Sequence, residues 1–235
     1  MLRVDLDSSL QLGSATLFSL EDAIKENKTI NELYGDLKRQ NHAGSSKPYR
    51  PPFLRSLPCD IQDIFIDVTS LASTLNDATH GASPKLNSST FHSDLLVLGY
   101  RLVDRYTLGG CRPGCTVENG IHLGLTAFLV TFLPGLDRRI AHNALLFKLL
   151  LDAAQAFSDD GLDIQELLLW MLYIGAASSS QLGAHPMWIS KSKETIDTLK
   201  LRTWEQVQDM LAKYPWVTPV HDTAGKALWL HAHQN

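Results

Sequence analysis

The run Leu167-Leu-Leu-Trp-Met-Leu-Tyr-Ile174 decides the fold class, because any helix it forms is apolar on every side. A second run, from Leu145 to Leu151, is interrupted by a single lysine. Helices that are hydrophobic all round are buried by neighbours on several sides. We therefore predict three central helices, packed among others, at about residues 116–133, 136–157 and 163–178.

Amphipathic patterns extend the helical prediction to both sides of this centre. Apolar residues recur at spacings of three and four from Ile61 to Leu75, which indicates one buried helix stripe. Hydroxyl residues followed three positions later by Asp, Glu or Gln mark helix starts at Ser19, Thr29 and Thr203. No stretch sustains the period-two alternation of a β-strand. The expected fold is all-α, a single-domain multi-helix array or bundle.

Proline, serine and glycine concentrate in one segment near the N-terminus, residues 41–58. This composition is typical of an irregular or mobile linker. We therefore predict an N-terminal helical segment with its linker over residues 1–58, and the main helical domain over 59–235.

Smaller breaks divide the rest of the chain. Glycine is the usual residue just beyond a helix C-terminus, so Gly109-Gly110 is expected to end the helix before it. The tail has three helix-breaking residues, Pro215, Pro219 and Gly225. We expect them to interrupt the tail before a short apolar anchor at residues 228–230.

The charge balance excludes an ordinary nucleic-acid-binding domain. Of 235 residues, 44% are hydrophobic and 20% are charged, and the formal net charge is −4. A domain that binds nucleic acid concentrates positive charge on one face. The two basic pairs, Lys38-Arg39 and Arg138-Arg139, lie in helical patterns and are interpreted as solvated helix faces. No direct nucleic-acid binding by this chain is expected.

Cysteine usage and hydropathy indicate the compartment. Three cysteines in a chain of this length do not form a disulfide framework and favour a reducing environment. Two acids in the first seven residues argue against a secretory signal. The longest apolar stretch, 121–134, is shorter than the roughly 20 residues that a bilayer requires. The expected location is nuclear or cytoplasmic, without a membrane contact.

Cys111-Arg-Pro-Gly-Cys115 is the most metal-like string in the sequence. Two thiolates four residues apart can share a zinc ion, but a closed site needs two further ligands. His122 is within reach along the chain, whereas Cys59 is distant. A tight loop between two helices is the favoured interpretation, so neither a metal nor a cofactor is expected.

Histidine and serine offer few catalytic patterns. His122 and His142 lie on apolar helices, where a satisfied core histidine is favoured over two groups facing a shared cavity. His231-Ala-His233 is close to the C-terminus of the sequence, and Ser178-Ser179-Ser180 is interpreted as a frayed helix end. Asp104-Arg105, beside a tyrosine, is interpreted as a helix-surface pair in preference to a buried one. Because no Gly-x-Ser-x-Gly elbow and no phosphate loop occurs, the catalytic residues stay unknown.

All five tryptophans lie in the last third of the chain. Each has a large apolar body and one N–H donor. They could line a ligand pocket, but pinning short helices to a core is the favoured interpretation. The five are Trp170, Trp188, Trp204, Trp216 and Trp229.

The order of these motifs resembles the C-terminal part of the fungal-specific transcription factor domain. In that family a Leu-Leu-Trp-x-Leu-x-x-Gly-Gly helix precedes a Ser-Trp-Glu-x-Val helix, a tryptophan-containing turn and a closing Leu-Trp. Gly99-Tyr-Arg-Leu-Val103 is similar to the family's Cys-Arg-Leu-Ala helix. The chain departs from the pattern at Ala176, and it lacks the six-cysteine zinc cluster and the basic linker. The matching segments are Leu167–Gly175, Thr203–Leu211, Trp216 and Leu228-Trp229.

The resemblance implies the regulatory half of such a factor, acting through a protein partner or a small-molecule effector. DNA contact would come from a partner chain, and a homodimer is among the expected assemblies. The alternative is a stand-alone helical enzyme or binding protein for a hydrophobic metabolite, with His122 and His142 as its polar groups. A purely structural interaction subunit is a third hypothesis.

Overall fold

The computed structural model describes residues 2–21, 49–79, 81, 87–133, 143–158 and 161–234. Within these ranges it has ten α-helices and no β-strand, which confirms the all-α prediction. A single-turn 3₁₀ helix covers Pro52–Ser56. The α-helices are α1 Leu2–Leu12, α2 Cys59–Thr79, α3 Ser88–Arg105, α4 Thr116–Phe132, α5 Ala144–Ala156, α6 Gly161–Ser178, α7 Ser180–Gly183, α8 Pro186–Thr198, α9 Trp204–Leu211 and α10 Thr218–Gln234.

Four sequence interpretations fall outside the described residues and stay predictions. They concern the helix start at Thr29, the pairs Lys38-Arg39 and Arg138-Arg139, and His142. None of the helices that the structure describes is long and apolar enough to cross a bilayer.

The centre of the fold is the packing of α4 against α6. Every residue from Leu167 to Ala176 is buried. The two helix axes approach closely because Gly124 has no side chain, and a Cβ there would lie 2.5 Å from the Trp170 ring. Helices α5, α8, α9 and α10 also contact α6, as the all-round apolar pattern requires. This confirms the central helices, but the predicted start of the middle one near residue 136 was wrong, because α5 begins at Ala144 after Asn143, its extended N-cap.

The N-terminal part of the chain packs into the same core. Leu6 of α1 is fully buried and lies against Gly99 of α3. Of the predicted linker, residues 41–58, the first eight lie outside the described ranges. The remainder is ordered on the core, where Leu54 is 2% exposed and Leu57 is 7% exposed. The prolines predicted an irregular linker here, but the two leucines bury their side chains and attach the segment to the core.

Two further predictions about helix ends were wrong. Helix α3 ends at Arg105, four residues before Gly109. In the tail, Pro219 and Gly225 do not break the chain but lie inside α10. Pro219 is in the first helical turn, where the N–H that proline lacks has no partner within the helix anyway. Gly225 allows close packing, because a Cβ there would lie 2.8 Å from the ring of Trp204.

Candidate ligand-binding site

A pocket of about 600 Å³ lies between the outer face of α1 and the segment that follows it. This segment, residues 14–18, folds back over the helix, and we call it the strap. Ligand pockets commonly have volumes of about 300–1,000 Å³. The pocket is lined by Val4, Asp5, Ser8, Ser9, Leu12, Ser14, Ala15, Leu17 and Phe18.

The strap is held by a buried carboxylate. Asp5 is 7% exposed and accepts hydrogen bonds from the backbone N–H of Leu17 at 2.8 Å and of Phe18 at 3.3 Å. The Tyr100 hydroxyl of α3 donates to the same carboxylate at 2.7 Å. Burial, followed by this hydrogen bond, raises the pKa of Tyr100, so the hydroxyl keeps the proton it donates. One side chain of α1 thus fixes both the strap and the helix behind it.

Three further contacts close the base of the strap. Ser9 donates from its hydroxyl to the carbonyl of Ser14. The backbone N–H of Gly109 donates to the carbonyl of Gly13 at 2.8 Å, and the Asn143 amide donates to Leu10 O at 2.8 Å. Gly13 has φ +70°, and a Cβ there would lie 2.7 Å from the nitrogen of Gly109. The pocket wall is therefore preformed by contacts that need no ligand.

The surface around the pocket is apolar and open. Val4 is 52% exposed, Leu12 is 77% exposed and Leu17 is 88% exposed. The half-buried Phe18 adds an aromatic ring. These side chains give the pocket an apolar rim that a hydrophobic ligand could cover.

The cysteine string forms a loop between α3 and α4, as the favoured interpretation predicted. Cys111 and Cys115 are free and exposed, and so is Cys59. Arg112, between the two loop thiols, points inward, and its Nε and Nη2 both donate to Asn119 Oδ1. Within the described part of the chain, no group of three or more His, Cys, Asp or Glu residues is placed to hold a metal ion.

His122 is sealed inside the core. Its ring is 1% exposed, Nδ1 lies 3.0 Å from Nη2 of Arg112, and Nε2 lies 3.0 Å from Leu102 O. An arginine only donates, so the network assigns Nδ1 as acceptor and Nε2–H as donor. Burial, with the charge of Arg112, lowers the pKa of His122 to about 3. Both ring nitrogens are thus engaged within the protein, and the ring does not line the pocket.

The Asp104-Arg105 pair is not a buried couple. Asp104 is exposed, whereas Arg105 bonds other residues: Nη1 lies 2.9 Å from Asp60 and Nη2 lies 3.1 Å from Glu118. The Tyr106 hydroxyl also donates to Glu118, at 2.8 Å. These polar groups tie the ends of α2, α3 and α4 together.

His221 of α10 is a buried histidine that the sequence analysis missed. Its Nδ1 accepts from the backbone N–H of Val217 at 3.0 Å, and Nε2 lies 3.0 Å from the Thr131 hydroxyl. That hydroxyl donates to Phe128 O, so it accepts from Nε2–H. Burial lowers the pKa of His221 to about 3. A helix that begins at Thr218 would have placed His221 in its first turns. The sequence analysis did not consider this helix, because it predicted a break at Pro219.

The tryptophans pin helices to the core, and none of them lines the pocket. Trp170 donates from Nε1 to Pro215 O at 2.9 Å, and Trp188 donates to Leu172 O at 2.9 Å. Trp204 stacks on Tyr173, with ring centroids 6.1 Å apart. The remaining two also lie within the C-terminal part of the fold: Trp216 donates to Asp222 Oδ1, and the ring of Trp229 lies against His233.

The other polar residues singled out in the sequence have local roles. Ser178 donates back to Gly175 O at the end of α6, and Ser179 is the N-cap of α7, which agrees with a helix end. His231 and His233 are in the last turn of α10. Neither group lines the pocket.

The fold and the site together define an all-helical protein with a preformed apolar pocket beside its first helix. No family model, no curated protein and no solved structure matches the chain. The resemblance to fungal regulators stays a prediction, and the function has to be argued from the site.

Proposed function

We propose that this protein is a transcription-factor-like regulatory module that acts by binding an effector or a protein partner. The observation that carries the proposal is the pocket of about 600 Å³ with its exposed leucine rim. Because hydrogen bonds within the chain hold the strap, little ordering cost falls on the ligand. Its apolar lining favours a ligand or peptide side chain of hydrophobic character.

The side chains of the site favour binding over catalysis. Asp5 already accepts three hydrogen bonds that hold the strap. His122, the leading candidate for the enzymatic alternative, is engaged at both ring nitrogens and does not line the pocket. No observation on the described residues favours an enzyme acting on a hydrophobic metabolite.

The regulatory part of the proposal rests on the sequence resemblance. The chain corresponds to the effector-responsive half of a zinc-cluster regulator and acts in the nucleus or cytoplasm. With a net charge of −4, contact with DNA falls to a partner chain. The isolated protein is expected not to bind duplex DNA specifically at physiological salt. Tight sequence-specific binding to a promoter fragment would contradict this part.

The binding part is tested with a neutral dye whose emission rises in apolar surroundings. Leu17→Asp places a charge on the rim, and we expect it to abolish the emission increase, because a charge is costly to desolvate. Leu162→Asp is the matched control, since Leu162 is 63% exposed and does not line the pocket. Equal dye binding by both variants would sink the proposal.

A further inference from the structure

The carboxylate of Asp5 has acceptor capacity that the contacts described above do not use. A carboxylate has about four lone-pair sites, and three donors are present, namely Leu17 N–H, Phe18 N–H and the Tyr100 hydroxyl. Asp5 itself lines the pocket. A further donor can therefore approach it from the side of the open space.

The three donors to Asp5 are all uncharged. A positively charged donor would add the attraction of opposite charges, which these uncharged donors do not supply. Among the described residues that line the pocket, Asp5 is acidic and none is basic, so the lining favours a cation over an anion.

The remaining lining residues determine which groups the rest of the ligand should carry. Ser9 donates its hydroxyl proton to Ser14 O, so its donor is not offered to a ligand. Val4, Leu12 and Leu17 present mainly carbon to the pocket and its rim. Burial of hydrocarbon against them is worth about 25 cal/mol per Å². The site combines one acidic acceptor with an extended apolar wall.

We propose that the pocket selects a small apolar molecule with one protonated amine, the ammonium pairing with Asp5 and the hydrocarbon lying against Val4, Leu12 and Leu17. This inference rests on the proposed binding function and names the ligand class for the same site. A free apolar amine fits the volume of about 600 Å³.

The test compares three ten-carbon probes, decylamine, decanol and decanoic acid, at pH 7 and below their micelle concentrations. At this pH the amine is cationic and the acid is anionic. Binding is followed by NMR of the leucine and valine methyl groups in the full chain. Decanol and decylamine can both donate to Asp5, but only the ammonium adds the attraction of opposite charges, so decylamine should bind about tenfold more tightly than decanol, a difference of about 1.4 kcal/mol. Decanoic acid should bind most weakly.

Asp5→Asn isolates the charge. An amide has one acceptor oxygen where the carboxylate has two, so the variant keeps only part of the contacts with the strap and Tyr100. The readout is therefore the ratio of decylamine to decanol affinity within the variant, which should fall to about one. If this variant does not fold, the three-probe comparison on the unaltered protein still decides. The methyl groups of Leu162, outside the pocket, serve as the internal control and should not shift.

The outcomes separate the two proposals. No methyl shift at Leu12 and Leu17 with any probe would overturn the binding function itself. Equal affinity for the three probes, or tightest binding of the acid, would overturn the amine inference alone. Shifts that follow protein concentration would identify a second copy of the chain as the occupant and would also overturn it.

Discussion

Mild acid should destabilise this protein through its two buried histidines. His122 and His221 each have a pKa of about 3 in the folded protein, against 6.5 for an unperturbed histidine. Unfolding returns both rings to water, so below pH 6.5 the unfolded state binds more protons than the folded state. The free energy of unfolding therefore falls as the pH is lowered from 6.5 towards 3.

The magnitude follows from the size of the pKa shift. Each pH unit below 6.5 costs about 1.4 kcal/mol per histidine. Lowering the pH from 7 to 5 removes about 2 kcal/mol for each ring, or about 4 kcal/mol together. That is a large part of a typical domain stability of about 5–15 kcal/mol.

Urea unfolding at pH 7, 6 and 5, monitored by tryptophan fluorescence and circular dichroism, measures this loss. His122→Asn and His221→Asn should each lower the pH dependence by about half, whatever they do to the stability at pH 7. Free energies of unfolding at pH 5 and pH 7 that agree within about 1 kcal/mol would refute the reasoning.

Three further changes test the packing and the helix ends. Gly124→Ala should destabilise the fold by about 1–2 kcal/mol in urea unfolding, because overpacking against Trp170 outweighs the better helix propensity of alanine. Gly114→Ala is the control and should change stability little, since no atom lies within 4 Å of the added Cβ. Thr203→Ala removes the cap of α9 and should lower the thermal midpoint, with a cost of about 0.5–2 kcal/mol. Asn76→Ala leaves Trp216 O and the N–H of Thr218 without this partner and should cost about 1–3 kcal/mol by urea unfolding, whereas a change under about 0.5 kcal/mol would show that water replaces it.

The helical elements were predictable wherever one local rule governed them. The leucine run of α6 is too apolar to lie anywhere but the centre. The capping box at Thr203, with Gln206 reaching back, begins α9 as expected. In contrast, Gly225 was interpreted as a helix breaker. A glycine is needed there because the rings of Trp204 and Trp216 pack against it, and both come from other parts of the chain.

The candidate site was not predictable from the sequence, because its parts are far apart along the chain. Nothing near Asp5 indicates that a tyrosine 95 residues later donates to it. Leu12 looks like an ordinary residue of a helix face and Leu17 like an ordinary loop residue until the strap brings them to the same pocket. For His122 the burial was predictable but the partner was not. Arg112, which bonds its ring, lies in the loop that the sequence analysis considered only for its two cysteines.

The anchoring of α1 has a consequence for protein synthesis. Leu10 O receives its hydrogen bond from Asn143, which is 133 residues further along the chain. At a translation rate of about 5–20 residues per second, the ribosome needs roughly 7–27 s to add those residues. During this interval Leu10 O lacks its Asn143 donor, although Tyr100 is added earlier and can already donate to Asp5. The contacts that hold the pocket wall are therefore completed in two stages on the nascent chain, separated by the synthesis of the residues between Tyr100 and Asn143.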